Sequence, residues 1–96
     1  MQFVVTALDY QDADALGRRM AQREQHLTGV RQMIADGSFV SGGAILDDAG
    51  KMIGSSLHLA FPDRASLEAK LAADPYTTGR VWENVEIRQV KLVPLT

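Results

Sequence analysis

The chain has 96 residues, 46% hydrophobic and 23% charged, a length and composition typical of one compact globular domain spanning residues 1–96. Ten Lys and Arg against twelve Asp and Glu leave a net charge of −2, which argues against nucleic acid or an anionic membrane surface as a partner. Cysteine is absent, so disulfides, thiolate nucleophiles and cysteine-ligated metal centres are excluded. Because no apolar run approaches the roughly 20 residues of a membrane helix and the start lacks a signal-peptide pattern, we expect a cytoplasmic protein.

The first part of the chain predicts a strand followed by a long helical region. Residues 3–8 form a short apolar and β-branched run that ends in a polar loop. Apolar residues then recur at helical spacing over 12–36, and Asp36-Gly37 supplies a stop. Polar residues near 21–23 indicate a break, so the region is either one long helix or a helical hairpin. The predicted buried stripe comprises Leu16, Met20, Leu27, Val30 and Ile34.

The remainder predicts two paired strands, a helix and a last strand. Strands over 38–46 and 52–61 flank an Asp- and Gly-containing segment that is typical of a hairpin turn. A helix follows from Pro62-Asp63 to Ala73, and Asp74-Pro75 ends it because the residue before a proline avoids the helical region. A connector over 76–83 then leads into a fourth strand over 84–94.

This order of elements, β-α-β-β-α-β, predicts an α+β fold of the ferredoxin-like type. In that arrangement a four-stranded antiparallel sheet carries both helices on one face. The alternation in the first two strands places apolar residues on both faces of the sheet. An uncovered apolar face favours association with a second copy, so we expect a homodimer of the dimeric α+β barrel type.

Two residues of the first helical region are candidates for a functional site. Arg23 falls within the predicted buried stripe, and His26 borders it. A cation and an imidazole on such a face need partners, because charged groups are rarely buried alone. The pattern leaves two interpretations open: a functional pocket, or an Arg23 that extends its charge to the helix edge beside a His26 with one structural hydrogen bond.

Other polar and glycine positions carry weaker signals. Asp74 taken alone is typical of a solvated loop, and His58 is typical of a packing or dimer-face residue. Gly42-Gly43 and Gly54-Ser55-Ser56 remove bulk in mid-strand, which suits close approach of a ligand or backbone, or a bulge. The histidines and acids lack metal-ligand spacing, and no phosphate-binding glycine loop occurs, so we predict neither a metal nor a cofactor.

Several short motifs, in this order and spacing, make the whole chain resemble the YCII-related (YciI-like) family. They are the R-x-x-H-L of Arg23 to Leu27, the two glycine positions just named, and Asp74-Pro75-Tyr76 followed by Gly79. The chain departs from the family in having Glu24 where proline often follows the arginine. The resemblance implies a ferredoxin-like fold, dimerisation and an active site with a His–Asp pair at His26 and Asp74. Some relatives that resemble muconolactone isomerases are chloromuconolactone dehalogenases, which implies a reaction class without a substrate.

The leading hypothesis is a small-molecule enzyme of the lyase, isomerase or dehalogenase type that uses general acid–base chemistry. His26 moves a proton near neutral pH, and Asp74 accepts from the other ring nitrogen and orients the imidazole. Arg23, Ser55 and Tyr76 are the candidate substrate-binding residues, with Arg23 suited to a carboxylate on a small anionic substrate. The competing hypotheses are a non-catalytic ligand-binding or accessory dimer and, by analogy of fold alone, a cofactor-free monooxygenase.

Overall fold

The computed structural model describes residues 1–96 as four strands and three helices. In chain order these are β1 (Gln2–Asp9), α1 (Ala15–Asp36), β2 (Phe39–Leu46), β3 (Met52–Ala60), α2 (Arg64–Ala72), α3 (Pro75–Thr78) and β4 (Trp82–Val90). No helix combines the length and apolarity needed to cross a bilayer.

The strands form one antiparallel sheet in the order β2-β3-β1-β4, so β1 and β3 are central. β2 and β3 follow each other in the chain and pair as a hairpin. α1 connects β1 to β2, and α2 and α3 connect β3 to β4. This is the ferredoxin-like α+β fold that the order of elements predicts. The helix-covered face holds the main core, formed by Phe3, Val5, Ala7, Met33, Leu57, Leu59, Leu67, Leu71, Tyr76, Val81 and Trp82.

The first helical region is one uninterrupted helix of 22 residues, so the predicted break near residues 21–23 is wrong. Ala21, Gln22 and Arg23 are all good helix formers, so the helix continues through them, with Ala21 exposed and the other two partly buried. The helix ends where predicted: Gly37 takes a left-handed φ of 86° and its N–H donates to the Ile34 carbonyl.

The predicted buried stripe of α1 is only partly correct: Leu16, Leu27 and Val30 are partly buried, and Val30 packs against the core. Met20 and Ile34 are 52% and 56% exposed, and the residues that α1 buries are Ala15, Arg19, His26 and Met33. The last three stand seven residues apart, so they share one face of the helix. Arg19 and His26 point inward because each forms a hydrogen bond with a carboxylate there. The spacing of apolar residues along α1 alone does not predict these contacts.

The segment after α2 forms the short helix α3 instead of a plain connector. Asp63 caps α2 by accepting from Ser66 N–H, and Asp74 caps α3 by accepting from Tyr76 N–H. Proline occupies the first turn of α3, where its missing N–H costs nothing. The last strand begins two residues earlier and ends four residues earlier than the predicted 84–94.

The uncovered face of the sheet is less apolar than predicted. Register with β1 and β3 assigns to it the aliphatic side chains Val4, Leu8, Ile45, Ala60 and Val90, interspersed with polar residues such as Thr6, Ser56 and Arg88. An irregularity between Phe39 and Ser41 shifts the register of β2, so Phe39 and Ile45 lie on opposite faces. Strict alternation along β2 would place both on one face, because alternation assumes an unbroken ladder.

Candidate functional site

A pocket of about 160 Å³ opens between α1, the β2–β3 side of the sheet and α3. Four of the five predicted site residues line it: Arg23 and His26 from α1, Ser55 from β3 and Tyr76 from α3. The fifth, Asp74, is bonded to the His26 ring and is not part of the lining. Apolar side chains complete the walls, namely Leu27, Val30, Phe39, Ala44, Met52 and Leu57.

The structure brings His26 and Asp74 together across 48 residues of sequence. The Nδ1 atom of His26 lies 2.9 Å from Asp74 Oδ1 and 3.1 Å from Oδ2, and the two side chains are 8% and 11% exposed. An ionised carboxylate only accepts, so Nδ1 carries the proton of this hydrogen bond. The same Oδ1 accepts from Tyr76 N–H at 2.8 Å, so the cap of α3 holds the carboxylate in place.

The other ring nitrogen of His26 has no partner within the chain. Nε2 takes part in no hydrogen bond, and it is not among the fully buried atoms that lack one. Because His26 lines the pocket, Nε2 is the ring atom available to a molecule bound there. The geometry therefore combines an oriented imidazole with an open acceptor site, the arrangement that general acid–base chemistry needs.

Two aromatic residues fix the plane of the imidazole. The Tyr76 ring stacks on His26 at a centroid distance of 3.9 Å and 10° between planes, and Trp82 meets His26 edge-on at 5.8 Å. Burial raises the pKa of the Tyr76 phenol, so the hydroxyl keeps its proton at neutral pH. That hydroxyl has no hydrogen-bond partner in the chain and remains a donor for the pocket that Tyr76 lines.

A buried polar cluster at the pocket joins Ser55 to three residues that the sequence analysis did not single out, Arg19, Asp9 and Trp82. Arg19, 3% exposed, donates from Nη1 to both carboxylate oxygens of Asp9 at 2.9 and 3.0 Å, and from Nη2 to Ser55 Oγ at 3.0 Å. Trp82 Nε1 donates to the same Ser55 Oγ at 3.1 Å. The Arg19 guanidinium also lies 4.7 Å from the Tyr76 ring centroid. The spacing of seven residues between Arg19 and His26 was the available signal.

The charges of the two pocket arginines differ in how they are balanced. Burial raises the pKa of the Asp9 carboxyl, and the hydrogen bond and positive charge of Arg19 oppose that rise. The charge of Arg19 is therefore balanced by a carboxylate that is itself disfavoured by burial. Arg23 is half-buried in the pocket wall and makes no hydrogen bond or ion pair with the chain. Arg23 is therefore the pocket cation that has neither a counter-charge nor a hydrogen-bond partner in the chain.

The remaining sequence candidates lie elsewhere. His58 is on the uncovered sheet face, where its Nδ1 is 2.9 Å from Ser41 Oγ. A Cβ on Gly54 would stand 2.5 Å from the Ala7 carbonyl, so this glycine permits close approach of backbone, not of a ligand. Gly43 has open space beside it and lines the pocket. No group of three or more His, Cys, Asp or Glu side chains is arranged to hold a metal ion.

The fold and the pocket define a ferredoxin-like α+β domain with a histidine–carboxylate pair beside a small cavity. The chain belongs to the YCII-related domain family, whose model matches residues 1–91. No curated protein matches the sequence significantly.

Solved structures share this fold at low sequence identity. A 5-chloro-2-hydroxyhydroquinone dehydrochlorinase of Burkholderia phenoliruptrix, in complex with 2,5-dihydroxybenzoquinone, has a TM-score of 0.82 at 21% identity, covering 95% of this chain and 94% of the other. An antibiotic biosynthesis monooxygenase has a TM-score of 0.57 at 16% identity, covering 98% of this chain and 100% of the other. A dimeric ferredoxin-like protein of Jannaschia has a TM-score of 0.50 at 9% identity, covering 95% and 98%. At these identities the likeness concerns the fold.

Proposed function

We propose that the protein is a small-molecule enzyme in which His26 and Asp74 perform general acid–base catalysis on a small anionic substrate. The observation that carries this proposal is the different environment of the two imidazole nitrogens. Asp74 accepts the hydrogen bond from Nδ1–H, and Nε2 has no partner in the chain and lies at the pocket. A purely structural role does not require a ring nitrogen that faces a cavity, whereas a general acid or base does.

The proposed cycle starts with neutral His26 and ionised Asp74. Nε2 takes a proton from the substrate, and the imidazolium that forms is stabilised by the Asp74 carboxylate at Nδ1. Nε2 then returns the proton to another substrate atom in an isomerisation, or releases it to solvent in an elimination. Stacking on Tyr76 keeps the ring in one orientation through both steps.

Among these reaction classes we favour an elimination such as dehydrochlorination. In that step the substrate loses a proton to His26 Nε2, the freed electron pair forms a double bond, and chloride leaves with its bonding pair. Support comes from the neighbour that is named as a dehydrochlorinase and shares the fold over nearly the whole chain. The apolar walls of the pocket suit a ring or a chlorinated carbon skeleton, while its polar groups suit oxygen substituents.

A direct test screens chlorinated hydroxyhydroquinones and chlorinated lactones for chloride release by the wild-type protein and by His26→Ala. We expect release with wild type and none with His26→Ala, with both proteins equally folded by circular dichroism. A compound that raises the melting temperature of both proteins yet is never converted would contradict the enzyme proposal and favour the ligand-binding module.

Arg23→Met is expected to raise KM for an anionic substrate by about tenfold or more while kcat changes less, because a carboxylate contact present in ground and transition state gives uniform binding. Steady-state kinetics on the compound found in the screen measures both constants. Arg31→Met is the matched control, since Arg31 is an exposed cation of the same helix outside the pocket. An equal KM for wild type and Arg23→Met would remove Arg23 from the binding site.

The same proposal includes a homodimer in the cytoplasm, formed through the uncovered sheet face. Support comes from the aliphatic residues on that face, from Leu8 at 45% exposure, and from the structural neighbour described as dimeric. Face-to-face packing of two such sheets buries both faces and gives a closed two-fold interface.

Light scattering at micromolar concentration is expected to return twice the 10.5 kDa mass of the chain. Leu8→Asp introduces a charge into the proposed interface and is expected to give the single-chain mass. Met20→Asp, at a half-exposed site on α1, is expected to stay dimeric. A wild-type protein that runs as a single chain would contradict the dimer.

A further inference from the structure

The hydroxyl of Ser55 has an unusual set of partners. Its oxygen accepts one hydrogen bond from Arg19 Nη2 at 3.0 Å and a second from Trp82 Nε1 at 3.1 Å. Both of these groups are donors only, because a guanidinium and an indole N–H have no lone pair to offer. A serine oxygen has two acceptor positions, so both are occupied.

The proton of the Ser55 hydroxyl therefore has to point in the remaining direction. No acceptor in residues 1–96 receives it, although Ser55 is only 2% exposed. Ser55 lines the pocket, and its strand turns this side chain toward the helix-covered face, where His26 lies. The unused donor and the cavity meet at the same residue.

We propose that Ser55 is a specificity-determining residue whose O–H, aimed by Arg19 and Trp82, donates to an oxygen acceptor of the substrate. The acceptor class is a carbonyl, enolate or phenolate oxygen, and the proposal rests on the proposed function of this pocket. Arg19 and Trp82 act as positioning residues, since both donate to Ser55 Oγ and so restrict the direction in which its O–H bond can point.

The electrostatics of the cluster favour an oxygen that carries negative charge. Two hydrogen bonds donated to Ser55 Oγ, one from a cation, polarise the hydroxyl and strengthen the bond that it donates. Arg19 Nε is itself a buried donor with no partner, which leaves the pocket floor rich in donors. A substituent that can only donate would face an opposing proton, so an amine or an apolar group is disfavoured at this position.

The test measures binding of 2,5-dihydroxybenzoquinone, whose ring carries carbonyl and enolic oxygens, to wild type and variants by calorimetry. Ser55→Ala is expected to weaken binding by about tenfold or more, because a hydrogen bond to a charged oxygen is lost. Ser56→Ala is the matched control: Ser56 is the next residue of β3 and faces the other side of the sheet, so its affinity should equal that of wild type.

Trp82→Phe tests the aiming of the hydroxyl without removing it. The variant keeps an aromatic ring near His26 but frees one lone pair of Ser55 Oγ, so the hydroxyl is no longer restricted to one direction. We expect affinity between that of wild type and Ser55→Ala. This arm remains informative if Ser55→Ala fails to fold, and wild-type affinity in Trp82→Phe would overturn the aiming role.

A spectroscopic readout separates binding from packing. Trp82 is the only tryptophan, so the NMR spectrum has a single indole N–H resonance. Donation by Ser55 to the ligand strengthens the Trp82 bond to the same oxygen, and the indole proton is expected to move downfield on binding.

The outcomes distinguish this inference from the proposed function. Equal binding by wild type and folded Ser55→Ala, with an unmoved indole signal, overturns the role of Ser55 and leaves the acid–base proposal standing if His26→Ala still abolishes chloride release. Failure of wild type to bind the quinone, together with failure to turn over any compound of the screen, overturns both.

Discussion

Asp74→Asn is expected to reduce kcat by about 10⁴-fold while the fold is retained, the loss seen when the orienting carboxylate of a catalytic histidine becomes an amide. With its carbonyl oxygen kept at the Oδ1 position by Tyr76 N–H, the amide places its NH2 at the Oδ2 position, 3.1 Å from His26 Nδ1, and can donate where the carboxylate only accepts. The proton then moves to Nε2, and the pocket loses its acceptor. Asparagine is also a good helix cap, so the bond from Tyr76 N–H to position 74 persists.

The change of tautomer is measurable without a substrate. Imidazole nitrogen shifts are expected to report a protonated Nδ1 in wild type and a protonated Nε2 in Asp74→Asn. Asp63→Asn is the matched control, because Asp63 caps α2 by the same kind of bond, to Ser66 N–H at 2.7 Å, away from His26. Full activity in Asp74→Asn with an unchanged tautomer would show that the carboxylate is structural.

Asp9→Asn is expected to lower the free energy of unfolding by about 3 kcal/mol, because removing one partner of a buried ion pair strands the other charge. The Arg19 and Asp9 side chains are 4% and 5% exposed, so water cannot replace the lost counter-charge. We place the effect at the low end of the range for such pairs, since the amide oxygen still accepts one bond from Arg19. Urea denaturation at neutral pH measures the change.

Two further variants show whether the stranded charge is the cause. Asp12→Asn breaks the ion pair between Asp12 and Arg18, whose side chains are 49% and 29% exposed, respectively. It is expected to lower the free energy of unfolding much less, because water solvates the remaining charge. Replacing the buried pair by Asp9→Leu together with Arg19→Met is expected to be more stable than Asp9→Asn alone. If Asp9→Asn unfolds at the same urea concentration as wild type, the buried pair does not support the fold.

The residues of the pocket could be predicted from the sequence, but their arrangement in space only in part. The sequence predicts Arg23, His26, Ser55 and Tyr76 as site residues, and they share one cavity, with Asp74 bonded to His26. The pairing of His26 with Asp74 was implied by the resemblance of short motifs, since nothing in the local pattern around position 74 points to a helix 48 residues away. Their catalytic and binding roles stay predictions.

The order of the four strands and of α1 and α2, and with it the ferredoxin-like fold, was determined by the sequence itself, because turns, proline, glycine caps and residue periodicity act on near neighbours. The family followed from the short motifs. The rotation of α1 and the buried cluster of Arg19, Asp9 and Trp82 were decided only by the tertiary structure. A charged side chain prefers water until a counter-charge and hydrogen-bond acceptors are assembled around it. For Arg19 those partners come from β1 and β3, and the chain brings them together only when the sheet has formed.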